Sequence, residues 1–296
     1  MPRLLSIALG AALLCGGAAW VMIRPQPLAA DHYAGLTGDP ARGEGVFHAT
    51  GCASCHAAPG ASGEAKLILA GGQAFPSEFG TFLAPNISPD PQQGIGGWSV
   101  SDFGNALQRG VSPEGAHYYP ALPYWSYARM EAQDVVDLYS YVQTLPPDAT
   151  PSQPHQIGFP FNIRALLGGW KLLNRNTDFV VQGDLTEAET RGRYLVEAMA
   201  HCGECHTPRD ALGGLDTSRW LAGAPNPSGQ GTIPNITPAA LDWSEGEIVA
   251  YLTSGFTPDY DSAGGHMVPV IENMAQLPES DRAAIAAYLK KVPAAN

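Results

Sequence analysis

Two stretches of this chain decide its fold: Cys52-Ala53-Ser54-Cys55-His56 and Cys202-Gly203-Glu204-Cys205-His206. Both read Cys-x-x-Cys-His, the pattern at which c-type haem is attached to protein. The two thiols bond the porphyrin covalently, and the histidine that follows can then reach the iron as its proximal ligand. The sequence therefore predicts two covalently bound haem c groups. The predicted attachment residues are Cys52, Cys55, Cys202 and Cys205, and the predicted proximal ligands are His56 and His206.

Two other kinds of site use a Cys-x-x-Cys pair, namely redox disulfides and zinc sites. A closed zinc site usually takes four protein ligands, and no cysteine lies between Cys55 and Cys202. A thioredoxin-like site would occur once, within alternating strands and helices, and the chain lacks that alternation. The repeat of the whole pentapeptide therefore favours haem at both places.

The composition suits two small haem domains. The chain has 296 residues, enough for two ordinary domains. Its 34 glycines and 26 prolines indicate a loop-rich chain in which a cofactor fills much of each core. The formal net charge is −12, which argues against binding to nucleic acid.

An apolar leader begins the chain. Residues 4–23 carry no charge and lie between Arg3 and Arg24, and twenty apolar residues can span a bilayer. A cleaved signal peptide would be cut after Ala19, but the apolar run continues to Ile23, which favours an uncleaved anchor. Bacterial c-type haem is attached outside the cytoplasmic membrane. We therefore expect a protein anchored in that membrane with its haem domains in the periplasm. A soluble periplasmic protein is the alternative.

The surroundings of the two haem patterns repeat as well. The matched pairs are Arg42-Gly43 with Arg191-Gly192, Pro85-Asn86-Ile87 with Pro234-Asn235-Ile236, and Trp98-Ser99 with Trp243-Ser244. The last pair predicts two helices that end near Gly110 and Gly255. Apolar residues at helical spacing then predict closing helices at about 132–144 and 279–291. The chain is therefore an internal duplication.

A helix that leads into the haem pattern and a closing helix packed across it make a class I cytochrome c domain. We predict an all-α fold with two such domains in tandem, at residues 31–147 and 185–296. Residues 1–30 would form the signal peptide or membrane anchor. The Pro-rich residues 148–184 would form a linker. The apolar run at 159–173 in this linker is either a short helix packed across both domains or a surface that docks a partner or a membrane.

The sixth ligand of each iron is harder to predict. A methionine thioether completes a Met/His haem and raises its potential. Met267 lies in the loop ahead of the second closing helix, where such a methionine belongs, and is predicted to bind the second iron, with His266 as the competing residue. The matching loop of the first half carries Leu122. Met130 is the first choice there, with His117 or an open iron as alternatives.

Several stretches carry a resemblance to a known family. Gly96-Gly97-Trp98-Ser99, residues 119–124 and residues 191–196 resemble the membrane-bound cytochrome c subunits of periplasmic alcohol, aldehyde and sugar-acid dehydrogenases. Those subunits commonly hold three haems, and this chain has two. The resemblance implies electron transfer from a periplasmic dehydrogenase subunit to a cytochrome c, a quinone or a terminal oxidase. It implies no substrate chemistry in this chain. A dihaem enzyme of the peroxidase or thiosulfate dehydrogenase type is the alternative.

Overall fold

A computed structural model describes residues 2–227, 229 and 231–295, without the side chains of residues 2–9, 11 and 12. Helix α1 spans Pro2–Ile23. Across the described residues, no helix combines the length and the apolar character needed to cross a membrane. Many side chains of the predicted leader, residues 4–23, lie outside this description, so the anchor stays a prediction.

The first haem pattern lies in a mostly helical domain. Its elements are α2 (Pro40–Thr50), α3 (Cys52–His56), β1 (Ala74–Ser77), β2 (Gly80–Leu83), α4 (Val100–Arg109), α5 (Tyr124–Tyr127) and α6 (Ala132–Val142). A short 3₁₀ turn at Gly63–Leu67 follows α3.

The segment between the haem domains contributes strand β3 (Gln156–Ile157) and helix α7 (Leu166–Leu173). The second domain then repeats the first. Its elements are α8 (Glu187–Tyr194), α9 (Gly203–His206), β4 (Ala224–Pro225), β5 (Thr232–Ile233), α10 (Glu245–Ser254), α11 (Met267–Met274) and α12 (Glu279–Lys291). The predicted closing helices thus correspond to α6 and α12.

The mostly helical character agrees with the prediction, but an all-α fold was too narrow a description. Strands β1, β2 and β3 form one antiparallel sheet, in which Phe75 pairs with Phe82 and Thr81 with Gln156. Strands β4 and β5 form a second, two-stranded sheet. The first sheet draws the linker against the first domain. Gly80 makes this possible, because a Cβ there would lie 2.4 Å from the carbonyl oxygen of Gln156.

In each domain the helix ahead of the haem pattern crosses the closing helix at a glycine. A Cβ on Gly43 of α2 would lie 2.1 Å from the carbonyl oxygen of Asp137 in α6. A Cβ on Gly192 of α8 would lie 1.9 Å from the carbonyl oxygen of Ala284 in α12. No real Cβ comes so close to backbone. The glycines therefore set how closely the two helices pack.

Gly43→Ala is expected to lower the free energy of unfolding by roughly 1–3 kcal/mol, the usual cost of overpacking. Gly45 lies on the same helix, and a Cβ added there would meet no atom within 4 Å, so Gly45→Ala is the matched control. That control should gain roughly 0.5–1 kcal/mol, because alanine is the better helix former. Urea unfolding of both variants measures the difference. Equal effects at the two positions would show that the crossing is not tight.

Helix α7 contacts both domains, as one of the two interpretations of the apolar run predicted. Lys171 Nζ donates hydrogen bonds to the carbonyl oxygens of Arg109 and Gly110, each at 2.7 Å, at the end of α4. Trp170 Nε1 donates to the carbonyl oxygen of Leu212 in the second domain, also at 2.7 Å. The helix therefore joins the two domains, while Leu172 and Leu173 at its end stay exposed.

Lys171 should make stability depend on pH. Burial, with the charge of Arg109, lowers the pKa of Lys171 to about 7, whereas an unfolded lysine has a pKa of about 10.4. Between these values the unfolded chain binds more protons, so stability rises with pH by up to about 1.4 kcal/mol per pH unit. Lys171→Met removes this term. In urea unfolding, the free energy of unfolding of the unaltered protein, relative to that of the variant, should therefore rise from pH 7 to 9. A difference that stays constant over this range would contradict the prediction.

Candidate functional site: two adjoining haem-binding clefts

Among the described residues, the four cysteines of the haem patterns form no disulfide. Cys52 and Cys202 are half-buried, and Cys55 and Cys205 are exposed. Burial raises the pKa of the Cys52 thiol to about 11 and that of the Cys202 thiol to about 12. A redox-active Cys-x-x-Cys site has a lowered thiol pKa instead. The surroundings therefore do not fit a thioredoxin-like centre.

Both pattern histidines are held in the orientation that an iron ligand needs. His56 Nδ1 lies 2.9 Å from the carbonyl oxygen of Pro85, and His206 Nδ1 lies 2.8 Å from that of Pro234. Because a carbonyl only accepts, each Nδ1 carries the proton and each Nε2 keeps its lone pair. Metal-bound histidines typically donate their second nitrogen in this way. Burial also lowers the pKa of both histidines, which keeps them neutral. The residues present therefore fit haem iron.

The second cleft differs from the first by one inserted residue. One more residue separates Gly192 from Cys202 than separates Gly43 from Cys52. The structure absorbs it in a π turn at Leu195–Met199, which is how helices usually take up an extra residue. His201 then lies at φ 43, where the first domain has Gly51 at φ 64. The residue count was the available sequence signal for this difference.

The two haem patterns contact each other's domains. Asn273 Nδ2 on α11 donates to Ser54 Oγ of the first pattern at 2.9 Å. Ser126 Oγ on α5 donates to Glu204 Oε1 of the second pattern at 3.2 Å. Each pattern therefore touches the segment that follows the predicted ligand loop of the other domain.

Further contacts close this interface. The ring of Tyr127 packs edge-on against His201, with 5.5 Å between ring centroids, and its hydroxyl donates to the carbonyl oxygen of Thr50 at 3.3 Å. An ion pair joins Lys66 of the first domain to Glu272 of the second. Sequence motifs could not predict these pairs, because they join distant parts of the chain.

A buried carboxylate fixes the end of the linker beside the second pattern. Glu197, which is fully buried, accepts hydrogen bonds from the backbone N–H groups of Val180 and Val181 and from the hydroxyl of Tyr288. Tyr288 in turn accepts from Trp220 Nε1 at 3.3 Å. Nothing in the local sequence marks Glu197 as a buried residue, so its role could not be predicted.

The two methionines predicted as sixth ligands, Met267 and Met130, do not occupy equivalent positions in their domains. Met267 begins α11, and its N–H donates to the carbonyl oxygen of Gly264 at 3.1 Å. The N–H of Leu122 donates to the carbonyl oxygen of Tyr119 at 3.1 Å in a turn of the same form. Leu122 is thus the structural counterpart of Met267.

Met130 corresponds to a different residue of the second domain. It lies directly before the N-cap of α6, as Leu277 lies directly before the N-cap of α12, and both side chains are buried. His117, the other alternative, has its Nε2 2.8 Å from the carbonyl oxygen of Ile23 and is engaged by the end of α1. Met130 therefore stays a prediction.

Comparison with known proteins agrees with this geometry. The family model described as cytochrome c matches residues 40–146 and again residues 190–293, and each match contains one haem pattern. The chain belongs to the cytochrome c family. The double match, with the relative described next, establishes two haem c groups.

Three relatives extend the comparison. A diheme cytochrome c-type protein of Cereibacter sphaeroides is 60% identical over 294 residues, 99% of each chain. The fructose dehydrogenase cytochrome subunit of Gluconobacter japonicus is 41% identical over 86% of this chain and 52% of its own length. The gluconate 2-dehydrogenase cytochrome c subunit of Pantoea cypripedii is 34% identical over 86% of this chain and 59% of its own. The resemblance to dehydrogenase cytochrome subunits is confirmed, although this cytochrome spans little more than half their length.

Proposed function

We propose that this cytochrome is a periplasmic electron carrier that takes electrons from a dehydrogenase subunit and passes them toward the respiratory chain. The acceptor would be a cytochrome c, a quinone or a terminal oxidase. The observation that carries the proposal is that each haem pattern contacts the other domain, through Asn273–Ser54 and through Ser126–Glu204. Two clefts that adjoin in one chain provide a short path with one end for a donor and the other for an acceptor.

The residues have defined roles in this proposal. Cys52, Cys55, Cys202 and Cys205 would hold the two porphyrins, and each haem iron supplies one-electron chemistry. His56 and His206 would bind the irons through Nε2, because the carbonyl oxygens of Pro85 and Pro234 hold the proton on Nδ1. Met267 would complete the second iron, and Met130 remains the predicted residue for the first.

Turnover assays on the purified dihaem protein test this function. The reduced protein is mixed with peroxide or with an oxidised cytochrome c, and the oxidised protein with thiosulfate or simple alcohols. We expect fast, salt-sensitive electron exchange with the protein acceptor, because the chain carries a net charge of −12. Rapid turnover of any of the small substrates by the isolated chain would contradict the proposal.

One observation favours a second candidate, a dihaem redox enzyme. Leu122, which cannot bind iron, occupies the place that Met267 occupies in the second domain. An iron without a sixth protein ligand can bind and activate a small molecule. The peroxide and thiosulfate arms of the turnover assay separate this candidate from the electron carrier.

Cyanide titration of the oxidised protein decides how the first iron is ligated. If Met130 binds this iron, Met130→Leu should increase cyanide affinity at one haem and remove a near-infrared methionine–iron band. If the iron is open, the unaltered protein should bind cyanide at one haem, and Leu122→Met should weaken that binding. Cyanide binding that neither substitution changes would contradict both assignments.

The leader belongs to the same proposal. Residues 4–23 would anchor the protein in the cytoplasmic membrane, with a cleaved and soluble periplasmic form as the alternative. N-terminal sequencing of the purified protein distinguishes them, because a mature terminus at Trp20 would rule out the anchor.

A further inference from the structure

The loops that follow α4 and α10 match residue by residue. Both helices begin with a capping box, and both end at a glycine in the left-handed region, Gly110 at φ 58 and Gly255 at φ 77. A single bridge then closes each loop, joining Val111 with His117 and Phe256 with Ser262. The carbonyl oxygen of this glycine accepts a hydrogen bond in both loops, from the Tyr118 N–H in the first and from the Ala263 N–H in the second, each at 2.7 Å. The two loops can therefore be compared position by position.

The chain itself covers the first of these loops. Lys171 on α7 donates to the carbonyl oxygens at the end of α4. Arg164 Nη1 donates to the carbonyl oxygen of His117 at 3.0 Å, and the His117 ring meets the carbonyl oxygen of Ile23. Val111 in this loop is only 4% exposed. An apolar helix with one lysine thus occupies this surface in the first domain.

The second loop has no such cover. Phe256, at the position of Val111, is 63% exposed, and Tyr260, at the position of Gly115, is 96% exposed. Tyr260 also lies at φ 63, a conformation that an aromatic residue rarely adopts. Among the described residues, no side chain donates a hydrogen bond to the carbonyl oxygen of Ser254 or Ser262, the counterparts of Arg109 and His117. The exposed rings of Phe256 and Tyr260 and the carbonyl oxygens of Ser254 and Ser262 are therefore open to a partner.

The charge around the open loop favours a basic partner. Residues 251–274 contain Asp259, Asp261 and Glu272 and no lysine or arginine. Glu272 is paired with Lys66, so Asp259 and Asp261 are the acidic side chains left exposed beside Phe256 and Tyr260. The C-terminal end of α10 adds a partial negative charge. Carbonyl oxygens, two carboxylates and two aromatic rings together suit a lysine set among apolar side chains.

We propose that the loop at residues 256–262 is the docking surface for a redox partner protein that presents a lysine within an apolar patch. The partner would take the place on the second domain that α7 takes on the first. This inference rests on the proposed electron-carrier function. It assigns the contact to the second domain, beside Met267, which is the predicted ligand of the second iron.

Electron exchange with a defined partner tests the surface. The reduced dihaem protein is mixed in a stopped-flow instrument with an oxidised mitochondrial cytochrome c, whose exposed face is rich in lysine. The first variant is Phe256→Ser with Tyr260→Gly, which places at position 260 the residue found at Gly115. Since exposed aromatic side chains often dominate such contacts, we expect the second-order rate constant to fall at least about tenfold at low salt. Spectra and haem potentials should not change.

A second variant and a control separate charge from contact area. Asp259→Asn with Asp261→Asn should flatten the salt dependence of the rate. Glu114→Gln changes the exposed acidic residue at the corresponding position of the first domain and should leave the rate unchanged. Acetylation of the lysines of the acceptor should flatten the salt dependence of the rate in the same way as the loss of the two carboxylates.

The outcomes distinguish the surface from the function. If the aromatic double variant reacts no more slowly than Glu114→Gln, the docking surface is wrong and the electron-carrier function still stands. If the unaltered protein does not reduce the acceptor at all, both are overturned.

Discussion

Cys52→Ala with Cys55→Ala should leave the protein with one haem instead of two. The remaining cysteines are Cys15 on α1 and the pair Cys202 and Cys205 of the second pattern, so none is left to hold a haem beside His56. Denaturing mass spectrometry of the purified chain should show the mass of one covalent haem lost. The first domain should also unfold more easily than the second, because the α2–α6 pair would lose the group that fills its core.

Cys15 provides the matched control for this experiment. It is the one cysteine outside the two haem patterns, and it is exposed on α1. Cys15→Ala should therefore keep both haems. Two haems in the double variant, or a single haem in the unaltered protein, would contradict the assignment of the two patterns.

Met267→Leu should convert the loop of the second domain into the form that the first has at Leu122. Leucine and methionine have similar volumes, so the cost in stability should stay below about 1.5 kcal/mol. Loss of the thioether should remove the contribution of the second haem to the near-infrared methionine–iron absorption and lower one haem potential. The shift should be on the order of 0.1 V or more, since axial ligands set potentials over about 0.8 V.

Met274 lies on the same helix and supplies the control. It is 3% exposed and packs in the core of the second domain. Met274→Leu should leave the near-infrared band and both potentials as they are. If this absorption is unchanged in Met267→Leu and reduced in Met274→Leu, Met274 and not Met267 binds the second iron.

The parts of this fold that local patterns determine could be predicted from the sequence. The haem patterns, the caps at Ser99 and Ser244 and the closing helices depend on residues close together in the chain. The duplication then placed equivalent elements in both domains. The β1–β2 hairpin and its pairing with β3 were missed, because Gly80 needs Gln156 as a neighbour and that neighbour comes from the linker.

The interface between the domains was beyond sequence reasoning. Ser54, Ser126, Glu204 and Asn273 are ordinary polar residues, and only the folded chain brings each pair together. The contact of α7 with the first loop could not be predicted either. Lys171 donates hydrogen bonds to backbone carbonyl oxygens, which no sequence motif marks. The difference between the covered loop of the first domain and the open loop of the second is visible only in the folded structure.

Electron transfer between the two haems is the most direct test of the central claim that their clefts adjoin in a single relay. A pulse of a small reductant delivers less than one electron per molecule, and the two haem spectra are then followed in time. The Asn273–Ser54 and Ser126–Glu204 contacts predict that the electron equilibrates between the haems at a rate independent of protein concentration. A rate proportional to concentration would show that electrons pass only between molecules, and it would contradict the account.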